Sequence, residues 1–167
     1  MKTFVNIISL KLMYFRYLGV RFARFLYWNL RLARSEMGKR VNIHFPVIVE
    51  GSGKLTIGPG VELMKRCSIG LSPGSRIILG EGSRIHPEAN IHAGKDATIT
   101  LGKRCAILSR SIVRNGCGVE MADGSSVSSY CNIFPSEPLY DGRLIIGKGS
   151  NSGDNTIIDS SDDVIIG

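Results

Sequence analysis

A repeat governs what this chain can become. An aliphatic residue followed by a small one recurs at Met37-Gly38, Ile57-Gly58, Leu79-Gly80, Leu101-Gly102, Met121-Ala122, Ile146-Gly147 and Ile166-Gly167, at intervals of 20, 22, 22, 20, 25 and 20 residues. Inside each interval the aliphatic positions are six apart, as in Ile57, Leu63, Ile69; Leu79, Ile85, Ile91; Leu101, Ile107, Val113; and Met121, Val127, Ile133. Met37, Ile43, Val49 obey the same rule, and Ile146, Ser152, Ile158 obey it apart from one serine. A period of six is neither helical nor that of one long strand. It suits a short extended face followed by a turn, and three such faces per coil make a triangular prism with its aliphatic residues stacked inward. At ~4.8 Å per rung, six coils from Met37 to Ile166 would stand roughly 30 Å tall.

Four residues after each aliphatic position the slot is often small: Cys67, Ser83, Ala89, Cys105, Cys117, Ser125, Cys131 and Ser150. These slots are expected to point inward near a corner, where space is short. All four cysteines fall in them and no CxxC occurs, so packing in a reducing compartment is expected rather than disulfides or zinc. Extra residues such as Lys54-Leu55-Thr56 and Arg76-Ile77-Ile78 read as one lengthened strand on a single edge. The twenty glycines, about 12% of the chain, fit the many tight turns this scheme needs.

The net charge of +7 is not spread over the repeat. Residues 1–40 hold nine Lys and Arg against one acid, Glu36, while the remaining 127 residues hold 12 basic and 13 acidic groups. Eight of the twelve aromatic residues also lie before residue 36. The chain therefore divides into a basic, aromatic-rich arm over residues 1–36 and a repeat over 37–167.

The arm has no proline and only Gly19, without period-2 alternation, and predicts one or two amphipathic helices. Arg21, Arg24, Arg31 and Arg34 fall on one side, and Phe22, Phe25, Leu26 and Leu30 largely on another. Its charge-free stretches are too short to span a bilayer, and no small-x-small cleavage site marks a secretory signal. It is expected to lie on an anionic membrane surface through residues 1–36, with Phe22, Arg24, Phe25 and Trp28 in contact. The competing reading is a helix packed on a neighbouring subunit or on the end of the body. Nucleic acid is not expected as a partner, because no basic stripe continues onto the repeat.

The [LIVM]-[GA]-x4 units in sets of three resemble the hexapeptide-repeat acyltransferases over residues 37–167, about four-fifths of the chain. That resemblance implies a mainly β fold: a left-handed parallel β-helix of about six coils, an exception to the right-handed crossover rule, preceded here by the helical arm. The arm, the repeat and the stretch NTIIDSSDDVIIG at 155–167 together look like the branch that O-acetylates capsular or lipopolysaccharide sugars. The implied activity is an acetyl-CoA-dependent O-acetyltransferase acting on a surface polysaccharide or lipid-linked sugar. The implied assembly is a homotrimer, cytoplasmic and peripheral on the inner face of the membrane, with pantetheine along a prism edge between subunits. In enzymes of this branch the catalytic histidine and much of the acetyl-CoA surface follow a stretch like 159–167. The resemblance thus implies either a fragment whose base lies beyond Gly167 or a naturally shortened relative, and the alternative function is a non-catalytic membrane-tethered β-helix scaffold or a remnant of such an enzyme.

Acyl transfer to a hydroxyl needs a general base, for which histidine is best poised near neutral pH. Only His44, His86 and His92 are available. Each follows an inward aliphatic residue (Ile43, Ile85, Ile91) and should point outward, as a surface histidine or as a base in a subunit cleft. His92 and His86 are the candidate bases. His44 and His86 share a column but stand two rungs apart, roughly 10 Å, so no metal is expected. The longest interruption of the repeat, residues 134–143, offers Tyr140, Asp141 and Arg143 as contacts for a saccharide acceptor. The plainer reading is an excursion closed by Pro135, Pro138 and Gly142.

Overall fold

A computed structural model of the chain describes residues 2–136 and 142–167, with helix side chains described from Met13 onward. One helix, Lys2–Ala33, precedes eighteen short strands. No proline interrupts it and Gly19 passes within it, so a single helix about 48 Å long forms where one or two were expected.

The strands wind into a parallel β-helix of about six turns, mainly β as the periodicity requires. Three parallel sheets form its faces. The seven-stranded face stacks Glu36–Met37, Lys54–Ile57, Arg76–Leu79, Thr98–Leu101, Val119–Met121, Leu144–Ile146 and Val164–Ile166. The five-stranded face runs Asn42–Ile43, Glu62–Leu63, Arg84–Ile85, Ala106–Ile107 and Ser126–Val127. The six-stranded face stacks Ile48–Gly51, Ser68–Leu71, Asn90–Ala93, Ile112–Asn115, Asn132–Phe134 and Ile157–Asp159. Four-residue strands occur on two faces, not on a single edge as expected, because both Leu71 and Ala93 on the six-stranded face add a second inward residue beside Ile69 and Ile91.

Register explains the repeat. Ile57 pairs with Leu79, Leu79 with Leu101, Leu101 with Met121 and Met121 with Ile146, so each inward side chain rests on its counterpart one coil away. All five are at most 1% exposed, and each buried aliphatic of this size contributes roughly 1.5–3 kcal/mol. The 25-residue interval is the excursion at 134–143, since Val119 pairs with Leu144. The small residue after each aliphatic has a steric cause. A Cβ on Gly80 would lie 2.4 Å from the carbonyl oxygen of Gly102 on the next coil.

The small slots are buried at Cys67, Ser83, Ala89, Cys105, Ser125 and Cys131. Their hydroxyls are satisfied between rungs: Ser83 Oγ donates to the Gly102 carbonyl at 2.8 Å and accepts from the Cys105 amide at 3.2 Å. Cys117 corrects the expectation. It is exposed, because on this face Asn115, in register with the buried Ala93, is the second inward residue, and Cys117 falls in the turn after it, as the exposed Lys95 does one coil earlier. Asn115 is satisfied there, its Nδ2 donating to the Gly142 carbonyl at 2.9 Å and to Ser160 Oγ at 3.2 Å while its Oδ1 accepts from the Gly118 amide.

At the corner between the five- and six-stranded faces, Arg66, Glu88, Arg110, Tyr130 and Asn155 all hold positive φ. The strain, of order 1 kcal/mol per residue, is partly offset by a ladder of side chains. Arg66 and Arg110 reach Glu88 at 3.4 and 2.8 Å, and Arg110 donates to the Tyr130 hydroxyl at 3.1 Å.

The C-terminal turns of the helix close the first coil. Leu32 is 3% exposed within the core, Phe25 meets Phe45 edge to face at 6.0 Å, and Arg31 Nη2 donates to the Gly53 carbonyl at 3.1 Å. The rest of the described helix projects Phe15, Leu18, Phe22 and Leu26 into solvent.

Candidate functional site

His92 projects from Asn90–Ala93 on the six-stranded face, in register between Gly70 on the coil before and Arg114 on the coil after. Its imidazole leans over Gly70, where any side chain would collide: a Cβ there would stand 2.3 Å from His92 Cδ2. Nε2 lies 3.4 Å from Ser72 Oγ, a long contact, and Nδ1 is enclosed without a hydrogen-bond partner. Proton exchange with a ligand must therefore pass through Nε2. Burial, then the charge of Arg114, lowers the His92 pKa below the ordinary histidine value, so the ring is a neutral base at pH 7.

The imidazole forms one wall of a groove of about 570 Å³ that also takes in Tyr27 of the helix, Glu50, Ser52 and Ser72. Sequence reasoning found His92 but missed the rest of this wall. Gly70 and Ser72 precede it by 22 and 20 residues, so aligning the coils by their 22-residue register would have placed both beneath the ring. Tyr27 carried no such signal, because the docking of the helix is not periodic.

His86 stands on the five-stranded face, half-buried, and does not converge with His92. Its pKa is also lowered, chiefly by burial and next by Arg84, against the opposing charge of Glu62. His44 is exposed and meets Glu62 at 3.0 Å and Asn42 at 3.0 Å. Arg143 lies on a different face again: its guanidinium reaches Glu120 at 3.5 Å and its amide donates to Asp163 at 2.7 Å. Tyr140 and Asp141 lie outside the described residues. The foot of their loop is pinned by Asp159, whose carboxylate accepts from the amides and hydroxyls of Ser136 and Ser161, interactions that hold its pKa far below the usual range.

Of the residues expected at a membrane, Phe22 is 63% and Phe25 41% exposed, Arg24 is exposed, and Trp28 is half-buried against the first coil. Among the described residues no helix is long and apolar enough to cross a membrane, and no group of three or more His, Cys, Asp or Glu side chains is placed to hold a metal ion. Comparison with protein-family models, curated proteins and solved structures finds no match.

Proposed function

We propose that the chain is an acetyl-CoA-dependent O-acetyltransferase of the hexapeptide-repeat family, acting on a surface polysaccharide or lipid-linked sugar. The observation that carries this reading is the neutral imidazole of His92 on the wall of a groove large enough for a sugar unit, with Nε2 held only by a long 3.4 Å contact to the Ser72 hydroxyl. In the proposed reaction Nε2 takes the proton as an acceptor oxygen attacks the thioester carbon, and the collapsing intermediate expels the CoA thiolate, which recovers that proton. Backbone amides would hold the thioester oxygen as charge develops. Tripling of the prism would enclose pantetheine along an edge between subunits.

The helix supports a peripheral position on a membrane, and the proposed acetyl-CoA donor would put that position on the inner face. Its exposed aromatic and aliphatic groups would enter the headgroup boundary while its arginines meet anionic lipid, at about 1 kcal/mol per charge.

The test is CoA thiol release from acetyl-CoA in the presence of a panel of saccharides. His92→Asn should lower the rate by at least ~100-fold with unchanged circular dichroism, and His86→Asn should change it less than a few-fold. Retention of the rate in His92→Asn defeats the assignment. Absence of both CoA binding and thiol release in the parent chain supports the scaffold reading instead.

A further inference from the structure

A second groove meets the first at Ser52. It is about 260 Å³ in volume and lies between the end of the helix and the first coils, walled by Arg31, Arg34, Ser35, Glu36 and Lys54. Three cations face one carboxylate, and that carboxylate, Glu36, is held by Lys54 at 2.7 Å. The last helical carbonyls contribute about half a negative charge, which leaves the groove clearly positive. Arg31 is the sharper signal. Its Nη2 is engaged by the Gly53 carbonyl, yet its Nε is buried with no hydrogen-bond partner. An unmatched donor leaves the enclosed Arg31 charge under-compensated, and an anion beside the guanidinium would offset it. Guanidinium groups recognise phosphate in particular, because their forked donors match two of its oxygens.

The distance from this groove to His92 selects among phosphate-bearing ligands. Gly51 is in register with Leu71, so Ser52 stands one rung from Ser72, the residue that His92 Nε2 contacts, roughly 5 Å. One sugar unit fits that span. The extended pantetheine of CoA, measured from its diphosphate to its sulfur, overreaches it.

We propose that this groove binds the phosphoryl group of the acceptor, so that the molecule presented to His92 is a saccharide carrying a phosphate or diphosphate ester. The identity of the acceptor rests on the acyl-transfer reading, whereas the anion site does not.

Trp28, the one tryptophan in the chain, packs a turn before Leu32 and reports on this junction. Its fluorescence should change saturably with a hexose 1-phosphate and with inorganic diphosphate, and not with the unphosphorylated hexose. Arg34→Gln and Lys54→Gln should each weaken the phosphate ester at least tenfold, while Arg21→Gln, away from the groove, should match the parent. Acetyl-CoA affinity should be unchanged in Arg34→Gln. Three results overturn the proposal: no saturable binding of the phosphate ester, or equal affinity in both variants; parallel loss of acetyl-CoA, which assigns the groove to the donor; or a response to phosphatidylglycerol vesicles alone, which assigns it to lipid headgroups. His92→Asn separates the two readings. It should keep phosphate binding and lose CoA release, and keeping both removes acyl transfer at His92 but leaves the anion site standing.

Discussion

The prism and the helix spend similar aliphatic and aromatic residues in opposite ways. In the prism Leu63, Ile69, Ile85, Ile91 and Ile107 are fully enclosed by the coils above and below. In the helix Phe15 is 70% and Phe22 63% exposed, and among the described side chains only Leu32 reaches the core. The prism is thus stabilised by its own apolar groups, while the described helix leaves most of its apolar groups in solvent, where the proposed membrane contact would cover them. Truncating one side chain in each region should break the symmetry of composition. Leu79→Ala should destabilise by ~2–5 kcal/mol in urea unfolding, from lost transfer energy and the cavity left between neighbouring coils. Phe22→Ser should change stability by less than ~0.5 kcal/mol, yet reduce flotation with anionic vesicles. A stability loss at Phe22 comparable to that at Leu79 would mean that the helix is packed, not presented.

Glycine sharpens the same contrast with a change of sign. A Cβ on Gly80 meets the backbone of Gly102, where nothing flexible can yield, whereas a Cβ on Gly19 meets nothing within 4 Å. Gly80→Ala should therefore destabilise by ~1–3 kcal/mol through overpacking. Gly19→Ala should raise helix stability by ~0.5–1 kcal/mol, since alanine loses less backbone freedom and nothing is displaced. Thermal unfolding of the two variants checks both signs, and a loss of stability at Gly19 would reveal a close packing partner for the helix.

The difference between the regions also decides what the sequence could disclose. Faces, register and core were legible from Ile57, Leu79 and Leu101 onward, because a stacked coil imposes one geometric rule on every rung. Cys117 was misplaced because that rule treats the three faces alike, whereas the six-stranded face carries a second inward residue, Asn115 or Ala93, that pushes the slot four after its aliphatic into the exposed turn. The His92 imidazole was legible as an outward group. Its neighbour Tyr27 was not, since the seating of a helix on the prism end depends on shape complementarity between Leu32, Phe25, Phe45 and Gly53, and no local pattern encodes that.

The smallest effect concerns His92 itself and separates a seated base from a surface histidine. Its pKa lies below the ordinary value near 6.5, first because burial disfavours the charged ring and next because Arg114 repels it. The proposed base catalysis needs the neutral ring, so the rate of CoA release should hold steady as pH falls through 6.5 and decline only at lower pH. Replacing Arg114 with Gln removes a repelling charge, raises the pKa and should move that acidic limb to higher pH while leaving the alkaline plateau in place. The same depression acts on folding: the unfolded chain binds its proton first, so stability present above 6.5 declines as pH falls toward the folded value. His92→Gln should flatten that decline, whereas His44→Gln, at an exposed ring, tests whether the effect is particular to the groove. An acidic limb at or above 6.5, or one that Arg114→Gln moves downward, would show that the groove does not hold the ring in its neutral form and that His92 behaves as any solvated histidine.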